Sequence, residues 1–171
     1  MYLSVRGLPK IEARYPDKVS IPDELKLFLN TIQLGLKTWA IMKQLALIYI
    51  EKEDYTNANT FIEKSFSLAE HSQEIGQSYH ILAILNMKQN LFENVLNTVE
   101  KGTKELKTKT EHYFLLQLLK AKAYLKLNEK EKSTESIQSL IKEYPQIESI
   151  IRQDNELNEL LLEISDSSSV E

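Results

Sequence analysis

The sequence predicts an all-α fold: an α-solenoid of antiparallel helix pairs, with a flanking helix before the repeats and a capping helix after them. Three observations lead there. Only 4 Gly and 4 Pro occur in 171 residues, too few for the many turns of a sandwich or barrel, so long elements joined by few turns are expected. Ala46, Ala83 and Ala121 stand in similar surroundings, spaced 37 and 38 residues apart. Around each alanine the chain divides into two helical stretches separated by a short polar break, at Glu51–Asp54, Lys88–Asn90 and Leu127–Glu129. A period of roughly 20–50 residues built from two helices is a solenoid signature, because no single pair can bury its apolar face alone and stacking completes the core.

In chain order, residues 1–20 carry Gly7, Pro9 and Pro16 without a clear period and read as an irregular lead-in. Ser20-Ile21-Pro22-Asp23-Glu24 is a helix start: Pro is tolerated in the first turn and two acids favour the positive end of the helix dipole. Leu25, Leu27, Phe28, Ile32, Leu34 and Leu36 follow at mainly helical spacing, and Gly35 either ends or weakens this helix. The repeats occupy about 39–75, 76–113 and 114–146. Their offsets align Tyr49 with Asn86 and Tyr124, Ile62 with Val99 and Ile137, Tyr55 with Phe92, and Ala58 with Val95. Residues 147–164 form the capping helix, with Ile147, Ile150, Ile151, Leu157, Leu160, Leu161 and Ile164 as its apolar stripe. Residues 21–164 thus make one helical domain, and 165–171 a disordered tail.

These aligned positions resemble the tetratricopeptide repeat, which places an aliphatic residue, a small residue, an aromatic, then Ala and an apolar residue in a unit of about 34 residues. The first unit matches best, with Leu45-Ala46, Tyr49, Asp54-Tyr55, Ala58, Ile62 and Leu68. The second keeps Tyr79, Leu82-Ala83, Phe92, Val95 and Val99 but has Asn86 in place of an aromatic. The third keeps Ala121, Tyr124, Ile137 and Pro145 and departs at Lys120, Lys130 and Ser133. The small residue lets the two helices of a unit approach closely. Extra length near Glu70–Gly76 and Lys104–Thr110 is expected to extend each second helix or its loop. Repeats lengthened this way resemble the sensor domains of peptide-pheromone regulators of Gram-positive bacteria.

Composition narrows the function classes. The hydrophobic fraction of 42% and charged fraction of 27% exclude a disordered chain. The most apolar stretch, Trp39–Ile50, is too short to span a bilayer and is interrupted by Lys43 and Gln44, so no membrane partner is expected. No Cys occurs, which excludes disulfides and thiolate metal sites and fits a reducing compartment. With no apolar run at the start of the chain, a cytoplasmic location is expected. The net charge of −4 is unevenly spread: residues 101–132 hold nine Lys against four acids, while 133–171 hold two basic residues against nine acids. The ordinary reading is a solvated helix surface; the sharper one is a basic patch that attracts acidic partners. Only three Arg occur, which argues against nucleic acid, where Arg dominates base recognition.

Chemistry is sparse. His71, His80 and His112 lack the i, i+4 spacing of a helical zinc pair. His80 is placed to face a ligand groove; His71 and His112 read as surface residues. Acids fall on periodic solvent faces, and no nucleophile elbow or phosphate-binding loop is present. No catalytic residue, metal or cofactor is expected. In the repeat family that the chain resembles, first helices line a groove. The residues expected there are Lys43, Leu47 and Ile50; His80, Ile84 and Met87; and Leu118, Lys122 and Leu125, each trio at i, i+4, i+7 spacing. They mix apolar area with Lys and His, which suits an extended or helical peptide carrying negative charge. Lys43 matches one position of the family's clamp for carboxylate-terminated chaperone tails. Leu47, Ile81, Leu115 and Leu119 stand at others and cannot donate the required hydrogen bonds, so a chaperone-tail adaptor is not expected.

The resemblance implies a non-catalytic module that binds a protein or peptide as adaptor or assembly factor. The alternatives are the ligand-sensing half of a pheromone-responsive regulator and an enzyme with a clustered set of perturbed groups. The register itself is testable. Ala83→Leu should overpack a helix–helix contact and cost about 1–3 kcal/mol; an unchanged denaturation midpoint would show the alignment to be shifted.

Overall fold

A computed structural model describes residues 21–35, 37–106 and 108–167. Among these the chain forms nine α-helices and one 3-10 turn, with no strand. A division between two compact units falls after Lys37, inside the span expected to be one domain, and each unit is described by itself. The expected lead-in, 1–20, lies outside the described residues.

The first unit contributes α1, Ile21–Gln33, with Asp23 and Glu24 in its first turn. Gly35 ends it at φ +87, a left-handed conformation that an L side chain resists. The amides of Leu34 and Gly35 return to the carbonyls of Asn30 and Ile32, at 3.0 and 2.9 Å.

The second unit is a stack of three helix pairs: α2 (Trp39–Glu51) with α3 (Tyr55–Leu68), α4 (Ser72–Lys88) with α5 (Phe92–Glu105), and α6 (Glu111–Lys126) with α7 (Lys130–Glu143). The first helices, α2, α4 and α6, also pack on one another in a row. Flanked by neighbours, they carry apolar residues around most of their circumference, whereas α3, α5 and α7 keep one polar face. The chain is therefore an all-α helical-repeat solenoid.

The packing follows the aligned residues. Ala46, Ala83 and Ala121 are each 0% exposed, as are Ala58, Val95 and Ser133 opposite them. Ser133 is tolerated because its hydroxyl donates to the Ala121 carbonyl at 2.8 Å. Asn86, where an aromatic was expected, donates from Nδ2 to Thr98 Oγ1 at 3.1 Å. Between the first and second pairs Trp39 Nε1 donates to Ser78 Oγ at 3.1 Å, and the Ser65 hydroxyl donates to Ser78 Oγ at 2.9 Å. At each of these positions the buried polar group has a partner that satisfies it.

Each pair turns through the same motif. Glu53, Asn90 and Asn128 have φ of 58, 58 and 60. The amides of the residues that follow, Asp54, Leu91 and Glu129, each return at 2.9 Å to Tyr49, Asn86 and Tyr124, while Glu53, Asn90 and Asn128 donate to Ile50, Met87 and Leu125. These are three Schellman caps at the repeat offsets. Asp54 then opens α3, accepting the Asn57 amide at 3.2 Å.

The extra repeat length, expected in each second helix or its loop, falls in the connecting segments and in α4, at 17 residues, since the second helices are all 14 residues long. Glu74, expected on a solvent face, accepts the Glu70 amide at 2.8 Å where α4 begins. Leu106, from the longer connection, fills the space beside Gly76, where an added Cβ would stand 2.3 Å from Leu106 Cδ2. The cap is not one helix over 147–164. It comprises a 3-10 turn at Pro145–Ile147, α8 at Glu148–Ile151, a turn, and α9 at Asn155–Ser167. α9 also takes in the first residues of the expected tail, and the rest lie outside the described residues. The break lets both segments contribute to one core: Ile147, Ile151, Leu157, Leu160 and Leu161 are buried together with Phe114, Leu118, Ile137 and Leu140. Ile150 stays exposed.

Gly102 joins successive pairs. A Cβ there would meet Tyr79 Cβ at 2.7 Å and Leu116 Cδ1 at 3.0 Å, and Tyr79 Cβ cannot retreat without its backbone. Helix propensity alone favours Ala over Gly by about 1 kcal/mol, while overpacking costs about 1–3 kcal/mol. Gly102→Ala should therefore lower the thermal midpoint; a raised midpoint would show that the α4–α5–α6 contact is looser than described.

Candidate functional site

The face of α2, α4 and α6 turned away from the second helices carries the candidate site. Of the nine residues expected there, Lys43, Leu47, His80, Ile84, Met87, Lys122 and Leu125 are partly exposed. Two are not available. Ile50 is 3% exposed and Leu118 is 9% exposed, so both already serve as packing. Leu118 belongs to the core formed with the cap, and Leu125 packs against that core. The third trio is thus largely turned toward the C-terminal segments, and its charged member is neutralised: Lys122 Nζ donates to Asp154, half-buried on both sides. Asp154 also accepts the Leu157 amide at 3.3 Å, capping α9. Lys126 pairs with Glu156, Lys130 with Glu163 at 2.5 Å, and Lys109 with Glu143. Much of the basic 101–132 segment is therefore matched by the acidic segment after it.

Beside the Lys122–Asp154 pair lies a groove of about 540 Å³. Ile84, Met87, Phe92 and Leu119 form its apolar wall, and the turn around Gln153–Glu156 closes one side. Phe92, Leu119 and this turn were not among the expected site residues. The turn could not be read as a neighbour of α4 because its position depends on the break in the cap.

The other end of the face is cationic. Lys43 Nζ donates to the buried Gln77 Oε1 at 3.0 Å and lies 4.8 Å from the centre of the Trp39 ring. The His80 and His112 rings are 6.0 Å apart. His112, expected at the surface, is instead half-buried with Nδ1 lacking a hydrogen-bond partner among the described residues. His71 is exposed, as expected. Burial first, then the charges of His112 and Lys43, pushes His80 down to about 4. Burial also lowers His112 against the opposing effect of Glu111, and it lowers Lys43. Both imidazoles are therefore neutral at pH 7.

Among the described residues no group of three or more His, Cys, Asp or Glu is placed to hold a metal ion, and no helix is long and apolar enough to cross a membrane. Neither a family model, nor a curated protein, nor a solved structure matches the chain. What the fold defines is a class, the all-α helical-repeat solenoids.

The depressed His80 fixes a sign. Between pH 6.5 and about 4 the unfolded chain binds a proton that the folded chain refuses, so stability is complete above that window and declines as pH falls through it. In an NMR titration the His80 ring should change state near about 4, and His80→Leu should reduce the acid-side loss of stability. A ring that titrates at its ordinary value would place His80 in water.

Proposed function

We propose that this chain is a non-catalytic, tetratricopeptide-like module that takes a protein or peptide segment on its first-helix face, as an adaptor or assembly factor. The observation that carries the reading is the row of partly exposed apolar side chains on that face: Leu47, Ile84, Met87 and Leu119. They come from three consecutive pairs, and three of them line a shallow open groove together with Phe92. Taking such a side chain from full exposure to full burial is worth about 1.5–3 kcal/mol, and these partly exposed groups contribute the fraction still open to water, so several must act together to offset a peptide's ordering cost. Lys43, at the end of the face away from the Lys122–Asp154 pair, would govern partner choice and encounter rate. The same reading takes the partner as protein rather than nucleic acid and, given the absence of Cys, puts the chain in a reducing compartment such as the cytoplasm.

The test separates groove from core. A phage-displayed random 12-residue library selected on the immobilised protein should yield peptides that no longer bind Ile84→Asp, while that variant keeps its thermal midpoint. An introduced charge in a buried position would instead lower the midpoint. Failure to enrich any peptide, or equal binding to the variant, would end the proposal.

A further inference from the structure

The two ends of the first-helix face differ in one respect that composition hides. At the α6 end the two α6 lysines that line the groove each have a carboxylate: Lys122 has Asp154 and Lys126 has Glu156. At the α2 end Lys43 meets the neutral Gln77 amide oxygen at 3.0 Å and the Trp39 ring at 4.8 Å, with no carboxylate paired to it among the described residues. His80 and His112 lie beside it, and His112 Nδ1 is buried without a partner among the described residues. The groups that act electrostatically here are Lys43 from α2, His80 from α4, and Glu111 and His112 from α6. Glu111 is exposed and acts on His112. Three cationisable side chains from three consecutive first helices thus lie close together: the His80 and His112 rings are 6.0 Å apart, and the Lys43 charge acts on both.

We propose that Lys43, His80 and His112 form an anion site that takes a carboxylate of the bound peptide, while the recess walled by Ile84, Met87 and Leu119 takes a large apolar side chain about three residues away. The spacing follows from α4. His80 and Met87 are seven positions apart on one helix face, about 10 Å at a rise of about 1.5 Å per residue. An extended peptide covers that distance in about three residues at about 3.3 Å each. The chemistry follows from the donors: Lys43 supplies a charge, and neutral imidazoles supply N–H donors that become charged when a carboxylate replaces lost water. Binding then takes up protons, so affinity for an acidic peptide rises as pH falls from about 7.5 to about 5.5, while the peptide carboxylate stays ionised. This inference rests on the peptide-binding reading above and adds the ligand's chemistry to it.

The experiment uses the full chain and an array of acetylated, amidated ten-residue peptides on an Ala/Gly background. Each carries one Leu and one Asp, Asn or Lys, at separations of one to six residues in both orders, and binding is read by fluorescence anisotropy at pH 7.5 and 5.5. The expected result is strongest binding for Asp at a separation of three, in one order. Asn should bind at least fivefold more weakly and Lys more weakly still. The Asp peptide should gain at least threefold at pH 5.5, and the Asn peptide should not. Lys43→Met keeps the apolar stem and removes the charge. It should bring the Asp peptide down to the Asn level and leave the Asn peptide unchanged, with circular dichroism confirming the fold. Equal binding of Asp, Asn and Lys peptides would overturn the anion site and leave the peptide-binding reading intact. Binding that is independent of separation would overturn the two-point arrangement. No binding by any peptide would overturn both readings.

Discussion

The close approach of the two helices in each pair is the constraint on which the rest depends. Ala46, Ala83 and Ala121 on the first helices and Ala58, Val95 and Ser133 on the second are all fully buried; Ala83 and Val95 share one core, and the Ser133 hydroxyl donates to the Ala121 carbonyl. A side chain with more reach at any of these points would push the second helix away and separate the layer behind it. The same requirement governs the joints between pairs, where Gly102 admits Tyr79 and Leu116. Dense packing of this kind leaves little room for adjustment, so the three first helices are held in a fixed row. That row brings Lys43, His80 and His112 together although they are far apart in sequence.

The repeat was legible because its strongest signals are small residues, and small residues recurring at a fixed interval mark the points where helices must meet closely. The aliphatic column Ile62, Val99 and Ile137 could be read for the same reason, and all three are buried. The turn motif was harder to read. Asn90 and Asn128 belong to the residue types that tolerate a left-handed conformation, but Glu53 holds that position in the first unit and masks the pattern. The broken cap gave no warning, since Arg152–Asp154 contains neither Gly nor Pro. Helical spacing named a face for the candidate site but could not say how much of it neighbours cover, and Ile50 and Leu118 were misplaced on that account. His112 escaped for a different reason. His80 aligns with Lys43 and Leu118, so its contact with His112 joins different heights on adjacent helices and no repeat register reveals it.

The uneven charge of the sequence has a structural resolution. Lysines on α6 and near the start of α7 meet acids supplied by the C-terminal segments. Exposed pairs of this kind contribute little stability, about 0–1 kcal/mol each. Their larger effect is to cancel the field that the basic segment would otherwise project. The half-buried Lys122–Asp154 pair does more, because Asp154 also caps α9 and so couples the neutralisation to the position of the cap.

Cancellation at one end leaves the other end distinct. Burying cationisable groups is unfavourable, Glu111 offsets this at His112 only in part, and the fold meets the cost by keeping the imidazoles neutral. An apolar residue at either histidine would avoid the cost altogether, as Leu118 does at the position aligned with His80. The face therefore combines an open groove with an apolar wall and, at its other end, a partly buried cluster of Lys43 with two neutral imidazoles; on the proposed reading the first supplies contact area and the second penalises the wrong charge. Discrimination between partners arises from the second of these, because in a partly desolvated site a like charge costs more than an opposite charge gains at an open surface.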